Sequence, residues 1–79
     1  MQVINETTMA RYIRERIEYV MNPVHLQYGY TTLEQMEGQL LELEALAKTL
    51  HLAEVWVEVS SRVREVRERR MEKISRLHR

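Results

Sequence analysis

Residues Thr32 to Arg79 form a run of 48 residues that contains one glycine, Gly38, and no Pro, Asn or Asp. A run without the usual breakers folds as helix, so an all-α chain is expected. Apolar residues in its first half recur at Leu33, Met36, Leu40, Leu43, Ala47 and Leu50, three and four apart, which lines one side of a helix. Leu52, Val55, Trp56, Val59, Val63, Val66, Ile74 and Leu77 start a second series whose mean direction lies roughly 145° from the first, at about 100° per residue. A single helix would run ~70 Å and need partners on nearly opposite sides of its two halves. A turn near Thr49 to Leu52 lets one chain bury both stripes, although Thr-Leu-His-Leu offers no Gly, Pro, Asn or Asp to end a helix. Ala53, Val55, Val57 and Val59 alternate as in a strand, but Trp56 breaks that pattern, in phase with Leu52, Val59 and Val63.

The expected architecture is a helical hairpin or small three-helix bundle, with helices near 7–21, 32–50 and 52–78. The last helix is long enough to project; a continuous helix over the last two, as in a coiled coil, is the alternative. The first helix is expected to start at Asn5, Thr7 or Thr8, whose side chains can accept from free first-turn amides. It carries Met9, Tyr12, Ile13, Ile17, Val20 and Met21 on one face. Arg11/Glu15 and Arg14/Glu18 stand four apart and can pair weakly, and Asn22-Pro23 stops the helix. Val24 to Tyr30 has apolar or aromatic groups at every second position, an extended pattern, with Gly29 free to take a positive φ. Thr31 and Glu34 are spaced as a capping box. Met1 to Ile4 are a short lead-in.

At 79 residues the chain reads as one domain that buries only about 60 % of its unfolded surface. With no Cys there is no disulfide to compensate, and self-association is the usual remedy for a thin core. No apolar run matches a signal peptide or membrane span, which points to a cytoplasmic protein. Charge is sorted along the chain: residues 1–31 carry three Arg and three Glu, residues 32–59 six Glu and one Lys, and residues 62–79 seven Arg, one Lys and three Glu. Residues 60–79 therefore read as a basic helical extension. Two copies laid antiparallel along the long stretch would set acidic against basic.

Within the basic extension Arg62, Arg69, Lys73 and Arg76 fall within roughly 60° of one another on a helix, a line suited to phosphates. Glu58/Arg62, Glu65/Arg69 and Glu72/Arg76 are also spaced to neutralise that line. The stretch Leu46 to Val57 resembles a helix-turn-helix, with Ala47 inside the first helix, Leu50 and Leu52 about the turn and Val57 in the second. The resemblance covers about 15 residues and implies DNA reading by Ala53, Glu54 and Glu58. His51 stands where a turn glycine is common, and the two glutamates would meet phosphate with the wrong sign. His25, His51 and His78 lie on different elements, no Glu-x-x-His or His-Glu-x-x-His pattern occurs, and no metal or cofactor is expected. Ser60, Ser61 and Ser75 sit on the charged helix and the glutamates mostly face solvent, so no enzyme is expected.

Trp56 with Val59, Val63 and Val66 is amphipathic, but nearby acidic residues and Arg70 oppose an anionic membrane surface. These four residues are the candidate self-association or partner-binding set, with Trp56 at its centre. The functional expectation is a small non-enzymatic interaction protein, an adaptor or regulator, that forms a homodimer or higher assembly and docks helices on another protein. The alternative is a nucleic-acid-binding protein using Arg62, Arg69, Lys73 and Arg76 or a degenerate helix-turn-helix.

Overall fold

The computed structural model describes residues 6–77 in four helices: α1 (Glu6–Met21), α2 (Val24–Gln27), α3 (Leu33–Thr49) and α4 (Ala53–Leu77). Residues 1–5, 78 and 79 lie outside the described part, and with them the candidate cap Asn5, the lead-in and His78. Thr7 and Thr8 fall within α1 rather than before it.

The two long helices separate at His51. Leu52 N–H donates to Ala47 O at 2.9 Å and His51 N–H to Lys48 O at 3.1 Å, while His51 itself takes φ 57°. These are the paired bonds of a Schellman helix end, with a left-handed residue between them. A histidine rather than a glycine fills that position, at about 1–2 kcal/mol for an L-residue. The contact between Leu52 and Ala47, both buried, offsets it. The uninterrupted 32–78 helix is thereby excluded.

The same motif closes α2. Tyr30 N–H donates to His25 O at 2.8 Å and Gly29 N–H to Leu26 O at 3.2 Å, with Gly29 at φ 74°. The positive φ matches expectation, but the extended reading of Val24 to Tyr30 does not hold. Pro23 sits at φ −63° and ψ −17°, already helical, and the Asn22 side chain accepts from Val24 N–H at 3.0 Å. A preset φ and a satisfied first-turn amide start a single helical turn where alternation suggested extension. The capping box also moves by one residue: Thr32 accepts from Gln35 N–H at 3.1 Å, and the Gln35 side chain accepts from Thr32 N–H at 3.0 Å.

The helices pack into one core. Ile13, Ile17 and Val20 of α1 meet Met36, Leu40, Leu43 and Ala47 of α3 and Val55, Val59, Val63 and Val66 of α4. Complete burial of side chains this size stabilises by about 1.5–3 kcal/mol each before the entropy of ordering them. Helices α3 and α4 run antiparallel along the whole of α3: Ser60 Oγ donates to Glu44 at 2.7 Å near the turn, and Glu37 lies against Arg67 and Arg70 further along. A helix-turn-helix crosses its two helices at about 90–120°, so this hairpin is not one. Helix α1 lies against one side only, where Tyr12, Arg16 and Val20 line a hollow with Gln39, Glu42 and Leu46.

The result is thin and long. The Cα extents are 56 × 24 × 13 Å and the radius of gyration is 14.4 Å, against ~12 Å for a compact domain of this length.

Candidate interaction surface

Helix α4 is the element that reaches beyond the others. Its 25 residues run ~37 Å, against ~24 Å for α1 and ~25 Å for α3. Tyr19 and Val20 near the end of α1 share a hollow with Gly38 and Gln39, and Glu37 lies beside Arg67, so α1 stops at the level of Val66. Helix α3 begins at Leu33, opposite Arg70 and Met71 by the same register. Past that point α4 keeps the spacing of its core stripe without a cover. Ile74 is 44 % and Leu77 74 % exposed, while Val59 and Val66 are at 0 %. Leu33, Arg70, Lys73, Ile74 and Leu77 line a groove of about 330 Å³ at this end. The projecting part thus begins near Met71; residues 60–70 belong to the body of the bundle rather than to an extension.

The candidate interface set divides. Val59, Val63 and Val66 are buried inside the chain's own core, and Trp56 is 40 % exposed. Leu52 and Val55, not Trp56, carry the core stripe through the first turn of α4. Trp56 lies beside that stripe, in a shallow hollow with Ala47, Lys48, His51, Leu52 and Ala53. It is a surface aromatic at the turn end, not the centre of a packed face. The valines fill the space that a thin three-helix core leaves, so no part of the set except Trp56 is presented outward.

The basic line is largely neutralised in place. Arg62 donates to Glu65 at 2.8 Å, Arg69 to Glu65 at 3.1 Å and Arg76 to Glu72 at 2.8 Å. Glu65/Arg69 and Glu72/Arg76 pair as their spacing implies, but Glu58 is not with Arg62. It accepts two bonds from Arg14, at 3.0 and 3.2 Å. This bidentate pair ties α1 to α4, and the Glu58 hydrogen bond and charge push the Arg14 guanidinium further above its ordinary value. Arg14 is accordingly held across the bundle instead of along its own helix by Glu18. Among the described residues Lys73 and Arg64 have no ion pair within 4.0 Å.

One polar group went unseen in the sequence. Glu37 is buried, its side chain 11 % exposed, with Arg70 Nη2 at 3.2 Å and Arg67 Nε at 3.5 Å from the same oxygen, Oε1. That oxygen makes no bond of hydrogen-bond geometry, so the pairing is Coulombic. The signal was present in the spacing: Glu37 sits one residue after Met36 and three before Leu40, on the flank of the core stripe. His25 is the other such case. Its Nε2 is buried without a hydrogen-bond partner and its ring lies 4.7 Å from that of Tyr19, whose ring also carries the Arg16 guanidinium at 4.8 Å. Among the described residues no three His, Cys, Asp or Glu side chains gather to hold a metal ion. No helix there is long and apolar enough to cross a membrane.

Set against known protein families, characterised proteins and solved structures, the chain matches none of them.

Proposed function

We propose that this chain is a small non-enzymatic interaction protein, an adaptor or regulator, that associates with itself and docks its helices on a protein partner. The observation that carries the reading is the α4 core stripe continuing past its cover, with Ile74 at 44 % and Leu77 at 74 % exposure. Leaving a core-type stripe uncovered forgoes the burial that stabilises such side chains elsewhere in the same helix. A docked helix restores it, with Lys73, which has no ion pair within 4.0 Å, lining the groove to meet an acidic residue on the partner. The nucleic-acid reading has less behind it, because Arg62, Arg69 and Arg76 each already contact a glutamate.

Quantitative affinity capture with the intact chain and with an Ile74→Glu/Leu77→Glu variant tests the reading. A protein retained in near-stoichiometric amount by the first and lost by the second, with helicity unchanged by circular dichroism, is the expected result. Equal capture by both would remove the α4 end from the account. Nucleic acid released by salt, with loss of its binding in an Arg62→Ala/Arg69→Ala/Arg76→Ala variant, would favour the alternative.

A further inference from the structure

Between α1, α2 and α3 lies a hollow of about 440 Å³, within the size range of small-molecule sites. Its walls follow from the local sequence. His25 O accepts from both Tyr30 N–H, at 2.8 Å, and Thr31 N–H, at 3.1 Å, which folds the connection after α2 back and sets Tyr30 at the rim. The His25 ring stands 4.7 Å from that of Tyr19, tilted by 51°, so the two make a corner. From α3 come Gln35, Gln39 and Glu42, spaced by four and three along one helix face. Gly38 lies among them. A glycine inside a helix weakens it relative to alanine, and a Cβ added here meets nothing within 4 Å, so no packing contact demands the glycine. What the missing side chain leaves is room in the hollow.

The lining selects by charge. Three rings, Tyr19, His25 and Tyr30, and one carboxylate, Glu42, line the hollow, and no lysine or arginine does. The hollows at the turn before α4, beside α1 and at the α4 end each include a cation, Lys48, Arg16 and Lys73 respectively. Glu42 has no ion pair within 4.0 Å among the described residues, and Tyr19 and Tyr30 are 55 % and 74 % exposed. The face of a tyrosine ring is electron-rich and attracts cations. The Tyr19 ring already does so for Arg16, whose guanidinium lies 4.8 Å from its centroid but does not line the hollow. Tyr30 and Glu42 have no such cation among the described residues.

We propose that this hollow binds an alkylated ammonium ion, its charge set against Glu42 and its methyl groups against Tyr30, Val20 and the corner of Tyr19 and His25. A bare ammonium is strongly hydrated and has no apolar body to bury there. An anion would meet Glu42 with the wrong sign and no cation of the chain in the hollow. An alkylated ammonium combines positive charge with an apolar surface, the pairing that aromatic cages recognise. The same group occurs in free small molecules and on methylated lysine side chains. The site shares no residue with the groove at the α4 end, so the inference stands apart from the docking and self-association proposed above.

Titration of the full, isotope-labelled chain with choline, followed by amide NMR shifts, tests it. Saturable shifts around Tyr30, Gly38 and Glu42 are expected, with an affinity about ten-fold above that of 3,3-dimethylbutan-1-ol, the uncharged molecule of the same shape. Glu42→Gln and Tyr30→Leu, both at exposed positions, are each expected to weaken choline binding about three-fold or more. Gly38→Leu fills the hollow and is expected to abolish binding while raising the unfolding midpoint, since leucine favours a helix over glycine. A trimethyllysine peptide that binds more tightly than choline, with its unmodified counterpart inert, assigns the group to a partner protein; choline at equal or higher affinity assigns it to a free ligand. The absence of saturable shifts with either probe overturns the inference. Equal binding of choline and its uncharged counterpart does so too, as does binding undiminished by Glu42→Gln or by Gly38→Leu.

Discussion

The two ends of α4 carry the same kind of sequence and meet different fates. Val55, Val59, Val63 and Val66 are 3 % exposed or less, while Ile74 and Leu77, in step with them, are 44 % and 74 % exposed. Nothing intrinsic to the residues separates the two groups. What separates them is length: α1 ends at Met21 and α3 begins at Leu33, and the register across the bundle leaves the last two turns of α4 with only the start of α3 beside them. Burial of a helix stripe is therefore a property of the partner element as much as of the stripe. An uncovered continuation of a core stripe is the place to look for an external partner.

The largest break in that comparison comes from the covered region. Leu40→Ala on α3, at 0 % exposure, is expected to cost about 2–5 kcal/mol, read as a lower urea midpoint. A cost under about 1 kcal/mol would mean that the core is looser than its burial implies. Next comes Glu37→Ala, which leaves Arg67 and Arg70 facing a space their carboxylate occupied. Those arginine side chains are themselves 54 % and 33 % exposed and regain water, so the expected loss is only about 1 kcal/mol. An intact midpoint would show that the buried carboxylate costs as much in desolvation as its two cations return.

His51→Gly works in the opposite direction. Removing the Cβ at φ 57° is expected to stabilise by about 0.5–1 kcal/mol, the relief of left-handed strain less the added freedom of the unfolded chain. Thermal unfolding at fixed concentration checks it, and a destabilised variant would contradict the Schellman geometry at that turn. Leu77→Ala sharpens the comparison through its smallness. At 74 % exposure it is expected to move stability of the monomer by less than about 0.5 kcal/mol, whereas its effect on partner capture is large.

Three helices, their order and the bend near His51 were legible because opposed stripes on two adjacent runs admit one compact solution. The turn chemistry was not. One Schellman motif uses Gly29, which the sequence advertises, and the other uses His51, which it does not; the second closes because Leu52 and Ala47 bury one against the other. Val24 to Tyr30 alternated like an extended segment, yet Pro23 had already set a helical φ and Asn22 supplied the cap. Trp56 misled for a geometric reason. At about 100° per residue it and Val55 share the edge of one stripe, and the core takes Val55, 2 % exposed, while Trp56 stays 40 % exposed. The division of charge was legible too, but its pairing was not: Glu58 had a cation four residues ahead on its own helix and took Arg14 of α1, because tertiary packing brought a bidentate geometry within reach.

The central claim, that the uncovered surface of this thin bundle is occupied by other chains and first by its own copy, is tested most directly by solution mass. Light scattering on the full chain after size exclusion, at low and high salt and over a range of concentrations, should give twice the chain mass of 9.6 kDa at low salt. A mass of one chain under every condition would contradict the account.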